Sequence, residues 1–172
     1  MNDGNENPTN AVVDSNWPVS VAAAGRTMPN LTEPVWQFEY AIDCNATRHF
    51  VWDYWTNISN WDDPPAEIRL DGPFAPGSRF TTKLPEQEPL YSVIRSVTAQ
   101  REATIDLQLP GAILSFCWRF EDLPGGERTK LTQLLTLSGT AAQDFVGQVA
   151  IFEDTVPEGM KRLAAAISAA AQ

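Results

Sequence analysis

The sequence predicts a single α+β domain, in which a curved antiparallel sheet of about seven strands wraps around a long C-terminal α-helix and two short helices follow the first strand. Three observations predict it. Apolar and polar residues alternate cleanly near residue 35, as in a strand wet on one face. Six more strand-length segments follow, joined by turns too short for crossover helices, so the sheet is antiparallel. The last 33 residues of the chain then change to a helical period.

Taken in order, residues 1–33 are rich in Asn, Pro, Ser and Thr without sustained periodicity and predict a flexible leader ahead of a domain at 34–172. Trp17 is the one leader residue suited to docking on the domain. In 35–43, Trp36, Phe38, Tyr40 and Ile42 share one face of a half-buried strand. Asn45 is a capping candidate for a helix at 45–55, where Phe50, Val51, Tyr54 and Trp55 recur at helical spacing. A second short helix covers 57–61, and Asp62-Asp63-Pro64-Pro65 ends it, because proline cannot continue a helix. Strands are predicted at 66–70, 78–84, 90–98, 103–109, 113–121 and 129–137, each bounded by Gly, Pro or polar turn residues. Phe145, Val149, Phe152, Val156, Met160, Leu163 and Ile167 then form one helical stripe. Thr140 and Gln143 make a candidate capping box. Pro157 lies inside the stripe, where a proline costs about 3 kcal/mol. A kink at 153–157 or a fresh start capped by Thr155 and Glu158 is therefore expected.

A strongly twisted sheet of this length curls. Its concave face needs an apolar cover, and the C-terminal helix is the element long enough to supply one. A helix across a curved sheet leaves room for a ligand.

The chain has 172 residues, 43% hydrophobic and 20% charged, which suits one globular domain. Its formal charge of −10 repels phosphate backbones and anionic lipid heads, so neither a nucleic-acid partner nor a basic membrane patch is expected. No segment is apolar enough for stable membrane insertion. The N-terminus lacks a basic, continuously apolar signal, and a soluble cytoplasmic protein is expected. With one histidine, His49, and two separated cysteines, Cys44 and Cys117, no metal site is expected and both thiols read as reduced.

Three segments carry a resemblance: ATRHFVWDYWTNISNW at 46–61, GPFAPGSRF at 72–80, and the strand pair 116–120 (FCWRF) with 129–139. In this order, over about residues 35–170, the chain resembles the START/Bet v 1-like (SRPBCC) superfamily, whose fold is the helix-grip fold. It is most similar there to polyketide cyclase/dehydrase-like and small lipid-binding members. The resemblance implies an internal cavity between sheet and helix.

Strand parity gives the residues that would line it: Trp36, Phe38 and Tyr40; Phe80; Leu114, Phe116 and Trp118; Gln133 and Leu135. Trp61 sits near the expected mouth, and Met160 and Leu163 face the sheet from the helix. In 90–98 the parity is open. The resemblance implies that Leu90, Ser92, Ile94 and Ser96 face inward; the pattern alone equally accepts Tyr91, Val93 and Val97, with Arg95 between them. Most of these residues also suit simple core packing. Gln133 is more informative, since a buried amide needs a partner: a ligand carbonyl or hydroxyl, another side chain, or a water.

Catalytic machinery is sparse. The single histidine is placed toward solvent, Cys117 has outward parity, and neither a GxSxG nor a Gly-rich phosphate loop is present, so no cofactor and no catalytic residue is assigned. The acids Asp62, Asp63, Glu86, Glu88, Asp106 and Asp122 fall in turns or on outward parity and read as solvated. Three functions stay open: binding of a hydrophobic small molecule or lipid, a cyclase/dehydratase-like enzyme working by orientation and proton transfer, and a chaperone-activator-like interaction domain.

Overall fold

The structure, a computed structural model, describes residues 33–61 and 65–172. The predicted leader with Trp17, and Asp62 and Asp63, lie outside the described residues.

Seven strands form one antiparallel sheet: β1 (Trp36–Cys44), β2 (Glu67–Asp71), β3 (Arg79–Lys83), β4 (Leu90–Thr98), β5 (Glu102–Leu109), β6 (Ala112–Asp122) and β7 (Thr129–Ser138). Their spatial order is β1-β7-β6-β5-β4-β3-β2, so the chain's first strand closes on its last. The cause is visible in β1: Trp36, Phe38, Tyr40 and Ile42 are half-buried while their neighbours are exposed, and the apolar parity pairs with Leu137, Leu135, Gln133 and Leu131 of β7.

After β1 the chain turns into helix α1 (Arg48–Thr56), whose first turn is capped by Thr47, its Oγ1 accepting from the Phe50 amide at 3.3 Å. Thr47, not Asn45, is the cap: both side chains can accept, and the helix phase that buries Val51, Trp52 and Trp55 starts at Arg48. A 3-10 turn (Ile58–Asn60) follows, capped by Asn57. Aromatic packing then fixes α1 on the sheet. Trp52 meets Phe120 edge-on with centroids 5.0 Å apart, and Trp55 packs on Trp118 at 5.2 Å.

The C-terminal segment is broken, though not at the proline. A short helix α2 (Val146–Val149) is separated by Ala150 and Ile151 from α3 (Phe152–Ala170). Pro157 sits inside α3 without interrupting it, and Thr155 lies within the helix and caps nothing. The expected box at Thr140 is also absent: the 3-10 turn at Ala142–Phe145 has no side-chain cap. The apolar stripe reads through the break, with Phe145, Val149, Phe152, Val156, Met160, Leu163 and Ile167 all buried. α3 runs along β1. Trp36 Nε1 donates to Glu153 Oε1 at one end (3.1 Å), and the Asn45 amide donates to Ser168 Oγ at the other (3.3 Å).

One glycine holds the β7 exit. Gly139 has φ +122°, and a Cβ there would lie 2.6 Å from the Gly111 carbonyl oxygen.

Candidate functional site

Register stacks the inward side chains of the sheet into rows. One row runs Phe38, Leu135, Phe116, Ile105, Ile94 and is hydrocarbon throughout. The next runs Tyr40, Gln133, Trp118, Ala103, Val97, and it carries polar side chains on the inward face. Gln133 is 0% exposed, and neither its Nε2 nor its Oε1 has a hydrogen-bond partner. Trp118, directly across the strand pair, is also fully buried with Nε1 unpartnered, as is Trp55, packed at a tilt against it. Each unpaired buried polar group costs about 1–3 kcal/mol. Such groups persist where something else uses them.

Around this row the aromatic rings interlock. Trp61, buried, lies parallel to Phe80 with centroids 4.9 Å apart, and its Nε1 donates to the Trp55 carbonyl at 2.6 Å. Phe152 of α3 packs on Trp36 and Phe116. Leu114, Phe116, Trp118, Leu135, Met160 and Leu163 are buried, and Trp36, Phe38, Tyr40 and Ser92 half-buried. Trp55, central to this packing, shows in the sequence as one residue of a helical stripe; its position against Trp118 is set by the seating of α1, which strand parity does not reach.

Ser96 does not belong to the site. A bulge between Ile94 and Ser96 shifts the register: Ile94 pairs with inward Ile105, but Ser96 pairs with outward Thr104 and is exposed. Leu90, Ser92 and Ile94 thus face in before the bulge and Val97 after it. Arg95 projects from the convex face, where Nε reaches Asp106 Oδ2 at 2.8 Å. Asp106 is therefore not solvated: it is 2% exposed, and Ser115 donates its hydroxyl to Oδ1 at 2.7 Å.

Other predicted groups are peripheral. His49 is 68% exposed and bonds Gln100 and Asp53. Both cysteines are free; Cys44 is buried and its thiol pushed up to about 12, first by burial and then by Asp43. Burial also raises the Cys117 thiol, opposed by its hydrogen bond with Thr104. No cluster of His, Cys, Asp or Glu among the described residues suits a metal, and no described helix is long and apolar enough to cross a membrane. A separate cleft of about 610 Å³ opens at the β2 edge, lined by Trp61, Ala66, Glu67, Ile68, Arg69, Asp71, Thr81 and Lys83. Of the predicted site residues it includes Trp61.

Neither a family model nor a curated protein matches this sequence. Solved structures do match its shape. A Nitrosomonas europaea protein superimposes with TM-score 0.61 at 14% identity, covering 78% of this chain and 95% of its own. Norcoclaurine synthase from Thalictrum flavum, in complex with dopamine and hydroxybenzaldehyde, gives 0.58 at 11%, covering 78% and 85%. A Mycobacterium smegmatis protein gives 0.52 at 17%, covering 78% and 89%. The chain has the helix-grip fold. At these identities the likeness concerns the helix-grip architecture alone.

Proposed function

We propose that this helix-grip domain binds a hydrophobic small molecule or lipid between its sheet and α3, in contact with the Tyr40–Gln133–Trp118 row. The observation that carries the reading is Gln133: fully buried on an otherwise apolar face, with both amide atoms free of partners. A residue kept only for packing would be a leucine, which has the β-sheet neighbours for it at 131 and 135. Trp36, Phe38, Phe116, Leu135, Met160 and Leu163 supply the apolar wall. The helix-grip neighbour that holds dopamine and hydroxybenzaldehyde supports a site for small aromatic molecules.

Native mass spectrometry of the purified protein, with displacement of a bound anilinonaphthalene dye, tests the reading. A copurified apolar ligand, or dye binding weakened by Gln133→Leu, is expected; absence of both would refute it.

A second reading is a cyclase/dehydratase-like enzyme, favoured by Tyr40, a phenol lying across the strand pair from Gln133. Arg95 takes no part, being turned to the convex face. The interaction-domain reading predicts an exposed apolar patch; among the described residues the exposed large hydrophobics are Val35 and Ile151, at 46% and 36%.

A further inference from the structure

Resting on that binding reading, we infer the chemical class of the ligand: an uncharged aromatic molecule bearing a carbonyl with a hydrogen-bond donor beside it, such as a carboxamide or lactam, held by Gln133 and Trp118.

The polar atoms of the row define the class. Gln133 offers Nε2 as donor and Oε1 as acceptor, side by side and both unpaired. A group presenting an acceptor and a donor side by side matches that amide edge with two bonds, where a lone carbonyl or hydroxyl engages only part of it. Trp118, whose backbone faces that of Gln133 in the register, adds an N–H that can only donate. The donor excess asks for an acceptor oxygen with two lone pairs, which is a carbonyl.

Charge is excluded by what surrounds the row. Ile68 and Leu70 of β2, Phe80 and Thr82 of β3, Leu90, Ser92, Ile94 and Val97 of β4, and the buried or half-buried inward residues of β5, β6, β7 and β1 are uncharged; on β6 the exposed end residue Asp122 carries charge and pairs with Arg48. A carboxylate buried there would face no cation on the sheet, and an ammonium no anion. Basic side chains are drawn off by acids outside the row: Arg95 by Asp106, Arg119 by Glu39, Arg48 by Asp122, Arg128 by Asp43, and Lys161 of α3, whose charge reaches Tyr40, by Glu158. The aromatic requirement comes from the company of the row: Trp118, opposite Gln133 in the register, belongs to a cluster of tilted rings with Trp55, 5.2 Å away.

Four probes of one shape separate these terms: naphthalene-2-carboxamide, 2-acetylnaphthalene, 2-isopropylnaphthalene and naphthalene-2-carboxylate, measured by equilibrium dialysis against the full chain. The carboxamide is expected to bind about tenfold or more tighter than the isopropyl compound, since one recovered hydrogen bond is worth about that factor. The ketone falls between them, and the carboxylate binds weakest. In Gln133→Leu the carboxamide advantage disappears while the isopropyl compound binds at least as well. In Trp118→Phe the carboxamide and the ketone both weaken, and the isopropyl compound does not. Circular dichroism of each variant establishes that it folds. Equal binding of carboxamide and isopropyl compound by the unaltered protein, or preference for the carboxylate, overturns this ligand class and leaves the apolar-binding reading intact. Failure of all four to bind overturns both.

Discussion

Replacing Gln133 by leucine should make the empty protein more stable, against the usual direction of a buried substitution. The side chain is wholly inaccessible and neither amide atom is satisfied within the fold. Two unpaired buried polar atoms amount to about 2–6 kcal/mol of unrecovered desolvation. Leucine lacks one heavy atom of glutamine, and the lost packing returns about 1 kcal/mol of that gain. The net expectation is a stabilisation of about 1–5 kcal/mol. At about 2–4 °C per kcal/mol for a domain of this size, that is a rise of several degrees in Tm. The assay is urea unfolding of both proteins after refolding from denaturant, which strips any copurified ligand, with thermal unfolding alongside. Loss of 1 kcal/mol or more in Gln133→Leu would refute the reasoning, since it would mean that the amide is satisfied inside the fold and has nothing to offer a ligand.

Three further outcomes follow from the same structure. Arg95→Met leaves Asp106 buried with Ser115 as its remaining partner and should cost about 2–4 kcal/mol, below the loss for a fully buried pair because the arginine is 40% exposed; a cost under about 0.5 kcal/mol in urea unfolding would contradict the ion pair's role. Gly139→Ala forces a Cβ against the Gly111 carbonyl at a φ of +122° and should destabilise by about 2–4 kcal/mol; an unchanged unfolding midpoint would contradict the close approach. Cys44 holds its proton in the folded state to about 12, raised from 9.0, so its contribution is present below the unfolded value and is lost as pH rises from there toward 12. Unfolding free energies at about pH 8 and about pH 10.5 should therefore fall more steeply for the unaltered protein than for Cys44→Ala; parallel slopes would refute it.

Much of this fold was legible because strand parity is unambiguous where apolar and polar residues alternate without a break. Trp36 to Ile42 and Leu114 to Phe120 gave their faces directly, and Gln133 drew notice as a polar residue on an apolar face. β4 was illegible for the converse reason. A period-two reading carried across a bulge inverts every later position, so it puts Ser96 inside although the residue faces out, and it leaves the side of Arg95 open. Parity alone makes Asp106 a solvated residue; its burial depends on Arg95 of the neighbouring strand reaching over it and on Ser115 of the next, which no local pattern records. The caps failed on competition between equivalent side chains, as with Asn45 and Thr47. Pro157 was expected to mark a break, yet the break falls at 150–151, because the buried stripe from Phe152 to Ile167 continues through the proline and holds the helix on β1. The rows themselves, and with them the meeting of Gln133, Trp118 and Trp55, required the register and the seating of α1.

The central claim concerns one side-chain amide, and NMR observes it directly. In protein labelled with ¹⁵N, the Gln133 NH₂ pair, identified by its loss in Gln133→Leu, should exchange slowly with solvent and move saturably as naphthalene-2-carboxamide is added, while the amide of exposed Gln37 stays in place. A Gln133 pair that exchanges as fast as the exposed one, or that stays fixed while the probe binds, would contradict the account.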